Sequence, residues 1–223
     1  MIEGHISKAF DGALAAMHVR VIEMGGLALD QVREASRAYV EWDAARAALV
    51  VERERTINAY DVTLDEEQLT LIARRQPVAS DLRIIIAFSK AVGELERVGD
   101  EAAKIARTVL GSVRGPGAAT ARDARHLGYL AAALLRQALE AFDRLECARA
   151  ADVLAGDKEL DAEYAAGLRR LLTRAMENPS QFDVAVEAAF VLKSLERIGD
   201  HARNLARHLQ STRLPFHSET PAA

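Results

Sequence analysis

An all-α fold made of two tandem, pseudo-repeated three-helix bundles is predicted by three features of this sequence. Half of the 223 residues are hydrophobic but only 5% are aromatic, and with Ala, Leu, Glu and Arg abundant, helix propensity is high almost throughout. Apolar residues recur at spacings of three and four, the period of one buried helix face. Residues 95–107, LERVGDEAAKIAR, return as residues 195–207, LERIGDHARNLAR, with 8 identities in 13 positions. The apolar stripe returns with them: Val92, Leu95, Val98, Ala102, Ala106 and Val109 become Leu192, Leu195, Ile198, Ala202, Ala206 and Leu209. Self-similarity at one offset is the mark of a duplicated unit.

The elements follow in order. The first unit, residues 1–113, opens with a helix from about Ile6 to Asp43, softened only at Gly25 and Gly26. A second helix runs from about Ala44 to Arg74. A third starts near Pro77, because proline is tolerated in a helix's first turn, and ends near Leu110. The junction is GSVRGPG, residues 111–117, where three glycines and Pro116 interrupt helical patterning. The second unit, residues 118–212, repeats the scheme with a helix from Thr120 to Leu154 stopped by Gly156. Another covers Lys158 to Glu177 and is stopped by Asn178 and Pro179, and the last covers Gln181 to Gln210. Short connections make neighbouring helices antiparallel. Residues 213–223, RLPFHSETPAA, show no periodicity and are expected to be mobile.

Composition narrows the setting. One cysteine, Cys147, forms no internal disulfide, and Glu3, Lys8 and Asp11 stand where a signal peptide needs an apolar run, so a cytoplasmic protein is expected. The longest stretch free of Asp, Glu, Lys and Arg, His126 to Leu135, is about half the ~20 residues that cross a bilayer, and no membrane span is expected. Net charge is −4 with basic and acidic residues interleaved, which argues against nucleic-acid binding.

The chemistry lies in paired carboxylates. Glu96 and Asp100, like Glu196 and Asp200, are one helical turn apart beside the buried stripe. Like charges at that spacing repel, so a cation or basic partner is needed to neutralise them. Gly99 and Gly199 precede the aspartates in helix interiors, where glycine costs about 1 kcal/mol against alanine, so a facing helix or a ligand must approach there. A second acidic pair, Asp157 and Asp161, falls near the expected start of a helix and completes four carboxylates with Glu196 and Asp200; Asp157 also reads as a helix cap. The first half offers Glu54 and Asn58, one charge fewer. Oxygen donors without thiolates favour Mg, Ca, Mn or Fe over a structural Zn. A surface ion-pair network with Arg97 and Arg197 explains either pair alone, but not the repetition of the whole Glu-Arg-x-Gly-Asp string.

These fragments, in order with HISKAF, MGG (24–26), ERERTIN (52–58), RQPVASDLR (75–83) and GDKELD (156–161), resemble the PhoU family, accessory regulators of bacterial phosphate transport. The resemblance covers nearly the whole chain. It implies two similar three-helix bundles, no catalytic activity, and acidic motifs able to hold metal ions at Glu54, Glu96, Asp100, Asp157, Asp161, Glu196 and Asp200, with Asn58 departing from the family's carboxylate. It also implies negative regulation of phosphate-starvation signalling and phosphate uptake through two partners: the phosphate ABC transporter ATPase subunit and a sensor histidine kinase. A homodimer is expected, with any membrane association coming through partners.

Two other readings compete. A carboxylate-bridged di-iron enzyme needs Glu-x-x-His elements, and none occurs. A plain scaffold would use the same acids in interhelical salt bridges without metal.

Overall fold

The computed structural model describes residues 8–77 and 80–212. The expectation of a mobile tail at residues 213–223 falls outside them. The described chain forms six helices and no strand: α1 (Lys8–Glu41), α2 (Ala44–Arg75), α3 (Ser80–Gly111), α4 (Ala118–Asp143), α5 (Ala150–Glu177) and α6 (Phe182–Ser211), with a short 3-10 turn, Pro179–Gln181, before α6.

Local chemistry fixes most of the turns. The link between α1 and α2 is two residues long. Trp42 adopts φ 54° there, and Asp43 caps α2 by accepting from the Arg46 amide at 3.0 Å. At the end of α2, Gln76 turns left-handed and its amide donates to the Ile72 carbonyl at 2.9 Å. Pro77 stays outside α3, which begins at Ser80 rather than at the proline.

The larger departure is between α4 and α5. The expected helix from Thr120 to Leu154 stops instead at Asp143, and α5 begins at Ala150 and runs straight through Gly156. No glycine or proline marks this break. Leu145 takes φ 53° and packs against the core beside Cys147, so tertiary burial makes the turn. Gly156 serves close packing, since a Cβ there would lie 2.9 Å from Leu134 Cδ1. Asp157 therefore sits inside a helix and is no cap.

Helices α1–α3 pack on one another, as do α4–α6, and one continuous apolar core joins the halves because α3 packs on α6 and α1 on α4. Each seam thus pairs a helix with its own repeat, the arrangement of a pseudo-two-fold axis. Two crossings show it at residue level. A Cβ on Gly25 would fall 2.3 Å from Leu139 Cδ2, and one on Gly128 would fall 2.6 Å from Ser36 Oγ. Adding 103 to Gly25 and Ser36 gives Gly128 and Leu139, so the two contacts are copies of each other.

Helix α1 is apolar along much of its length. Its residues Phe10–Glu41, with mean hydropathy 1.3 over the most apolar window, are long and apolar enough to span a bilayer by length and composition alone. In the fold, Met17, Val21, Met24, Ala28, Val32 and Ala35 spend this apolarity on the core.

Candidate functional site: two carboxylate clusters

The glycines of the repeated motif set the geometry. Ile57 of α2 packs over Gly99, where a Cβ would lie 3.1 Å from its Cδ1, and Leu160 of α5 packs over Gly199, where the distance would be 2.0 Å. A facing helix, not a ligand, is what approaches these backbones. Ile57 and Leu160 hold their helices in register, which brings Glu54 to Glu96 and Asp100, and Asp157 and Asp161 to Asp200.

In the first cluster a further acid joins, Asp61, one helical face along from Glu54 and Asn58. Burial raises the pKa of Glu96, and the charges of Asp100, Asp61 and Glu54 add to it. Burial also raises that of Asp100, reinforced by a hydrogen bond and by charge from Glu54. Asp61 is raised by burial and then by Asp65. Arg107 pairs with Glu54, while Asn58 stays exposed at the rim. Among the described residues Arg107 is the cation ion-paired with these four carboxylates, while Arg97 acts on Glu96 and Lys104 on Asp100 through charge alone.

The second cluster is answered from within. Arg203 reaches both Asp157 and Asp200 at 2.6 Å, and Lys193 lies 2.6 Å from Glu196 and over the Tyr164 ring. Asp157 is 4% exposed, and its Oδ1 is buried without a hydrogen-bond partner. Asp161 is exposed, with its pKa raised by partial desolvation and by Asp157 and Asp200. Arg203 and Lys193 have no basic counterparts in the first half, where Ala103 and Gly93 stand.

The donors fit a hard cation in kind, being oxygens, and the first cluster fits it in charge. As the side chains stand, no three His, Cys, Asp or Glu residues among those described converge to hold one ion.

Spacing within single helices found eight of these residues. It missed Asp61, although Asp61 continues the Glu54 face by seven residues. Arg203 and Lys193, each three residues from a cluster acid on α6, were also missed. It further missed a polar seam between α3 and α6. Glu94, 9% exposed, accepts hydrogen bonds from His201 at 2.7 Å, His208 at 3.3 Å and Asn204 at 3.4 Å. Burial pushes the Glu94 carboxyl up, but these bonds outweigh it and hold its pKa at about 2. Glu101, also buried, takes Lys104 at 2.9 Å and Arg197 at 3.1 Å.

Fold and clusters together define a class: a duplicated helical-bundle protein with an acid cluster on each repeat. Known proteins place it further. The family profile described as PhoU domain matches twice, over residues 21–109 and 124–209. The chain is 42% identical over 203 residues to a Pseudomonas putida protein named phosphate-specific transport system accessory protein PhoU homolog, covering 91% of this chain and 79% of that one. It is 35% identical over 205 residues to the Escherichia coli K12 phosphate-specific transport system accessory protein PhoU, covering 92% and 85%. The crystal structure of PhoU from Pseudomonas aeruginosa superposes with a TM-score of 0.85 at 39% identity, covering 91% of this chain and 98% of that one. The chain belongs to the PhoU family.

Proposed function

We propose that this protein is an accessory component of a phosphate-specific transport system that restrains phosphate uptake and phosphate-starvation signalling by binding rather than catalysis. The observation that carries the reading is that relatives named as phosphate-specific transport system accessory proteins match over 91% and 92% of the chain, both repeats included. The partners it would join are the phosphate ABC transporter's ATPase subunit and a sensor histidine kinase, met from the cytoplasmic side, with the protein acting as a homodimer. Long helix faces exposed on both repeats suit such contacts.

The acid clusters take a regulatory cation in this reading, with Glu54, Asp61, Glu96 and Asp100 as its principal holders. By carboxylate count in the sequence motifs alone, four against three with Asn58, the second repeat is the stronger site. Arg203 and Lys193 favour the first repeat instead, because they already neutralise part of the second cluster. The same ion pairs favour the scaffold reading for the second repeat alone.

Deleting the gene and following starvation-gene expression in phosphate-rich medium tests the regulatory role, with affinity purification of the tagged chain testing the partners. Derepression together with recovery of the ATPase and the kinase supports the proposal. Silent genes and neither partner overturn it. Metal analysis of protein purified without chelator, repeated on Glu96→Ala/Asp100→Ala, tests the cation separately.

A further inference from the structure

The seam between α1 and α4 holds a groove of about 510 Å³, rimmed by Arg33, Arg37 and Glu41 of α1 and by Arg125, Tyr129 and Arg136 of α4. Its floor lies where the two helices cross closely, with Ser36 packed directly on Gly128 so that a Cβ there would fall 2.6 Å from Ser36 Oγ. With Ala132 and Ala133 beside it, the floor is made of small side chains and the arginines stand above it.

The guanidinium groups are loosely held. Arg125 has no hydrogen bond or ion pair among the described residues. Arg33 lies 3.4 Å from Asp30 and Arg136 3.6 Å from Glu140, both pairs within one exposed helix face. Arg37 lies 3.1 Å from Glu34, but Glu34 also holds Arg46 at 2.5 Å. Glu41 is drawn toward Arg46 as well, at 3.6 Å. Solvated pairs of this kind give way readily to a better anion.

We propose that this groove binds an anion carrying a chain of phosphoryl groups, either a free polyphosphate or the triphosphate of a nucleotide. Guanidinium forks match phosphate oxygens in geometry as well as charge. Arg125 and Arg136 are separated by about 16 Å along α4, so a single orthophosphate reaches only part of the set. An acidic helix would present one charged stripe, whereas a phosphoryl chain carries charge on every side and meets arginines on both rims. Tyr129, 72% exposed, offers a ring on which a nucleobase can stack.

Isothermal titration of the full chain with sodium tripolyphosphate, ATP, orthophosphate and a hexaglutamate peptide, at 50 and 200 mM salt, tests this. The expected result is saturable binding of tripolyphosphate or ATP that weakens at least tenfold in Arg125→Gln/Arg136→Gln. Arg169→Gln, on α5 and outside the groove, should bind as the unmodified protein does. Equal affinity for both ligands assigns the site to the phosphoryl chain alone. Tighter ATP binding that is lost in Tyr129→Ala assigns it to a nucleotide. Absence of binding, equal weakening in Arg169→Gln, equal affinity for orthophosphate, or equal affinity for hexaglutamate overturns the proposal. Circular dichroism of each variant confirms that these exposed substitutions leave the helices intact.

Discussion

Nδ1 of His201 on α6 lies 2.7 Å from Oε2 of Glu94 on α3, across one of the two seams that hold the repeats together. The pseudo-two-fold axis copies this pair onto Glu101 and Ser194, which also share a hydrogen bond. The same pair of positions thus carries a carboxylate and an imidazole on one side and a carboxylate and a hydroxyl on the other.

Acid should weaken this seam in a defined window. The Glu94 pKa falls from its usual 4.5 to about 2 on folding, so its contribution is present above about pH 4.5 and is lost as pH drops toward 2. Allowing for solvent near the pair, the shift corresponds to about 2–3 kcal/mol. Urea unfolding of Glu94→Gln should show that deficit at pH 6 and little of it at pH 2.5. A deficit of the same size at both values would contradict the assignment.

The first acid cluster should behave in the opposite sense. The pKa of Asp100 is raised on folding, by burial first and then by Glu54, so the stability it contributes is present at acid pH and disappears as pH rises through its folded value. Asp100→Asn removes that penalty and should be more stable than the unmodified protein at pH 7, by about 1 kcal/mol or less. Added Mn²⁺ or Mg²⁺ should stabilise the unmodified protein more than the variant. A variant that is less stable at pH 7 and responds equally to the ions would refute the account.

Arg203→Ala restores in the second repeat what Ala103 provides in the first. It also leaves Asp157, almost fully buried, without its cation. Breaking such a pair costs about 3 kcal/mol. Thermal unfolding should show the loss, and a divalent cation should recover part of it by taking the guanidinium's place. No recovery at saturating cation would show that the second cluster cannot accept an ion even when emptied of arginine.

The repeat, the six helices and the core stripe were legible because helical periodicity is a local property, and both copies repeat it. The end of α4 was not legible. Nothing in DRLEC announces a break, and Leu145 turns only because the assembled core receives it. For the same reason, spacing along one helix revealed Glu96 with Asp100 and Glu196 with Asp200. It did not show Asp61, Arg203 or Lys193 as members of the clusters, nor Glu94 with His201, because their meaning depends on the register of a facing helix.

Two glycine substitutions should separate packing from propensity. Nothing lies within 4 Å of a Cβ at Gly26, so Gly26→Ala should stabilise by about 0.5–1 kcal/mol through helix propensity alone. At Gly199 the new methyl would meet Leu160 Cδ2 at 2.0 Å inside the core, and overpacking of about 1–3 kcal/mol outweighs that gain. Chemical denaturation of both variants checks the opposite signs. A stabilised Gly199→Ala would mean that Leu160 swings aside freely.

Joining the two repeats in one polypeptide has a consequence that two separate identical subunits could not reach. In a homodimer every substitution appears twice, and a residue near the axis must tolerate its own image. Here α3 and α6 have diverged independently, so Glu94 faces a histidine while its counterpart Ser194 faces a glutamate, and Arg203 answers to Ala103. The molecule keeps the economy of a duplicated architecture yet has a front and a back. The two faces of the molecule are therefore chemically distinct although they share one architecture.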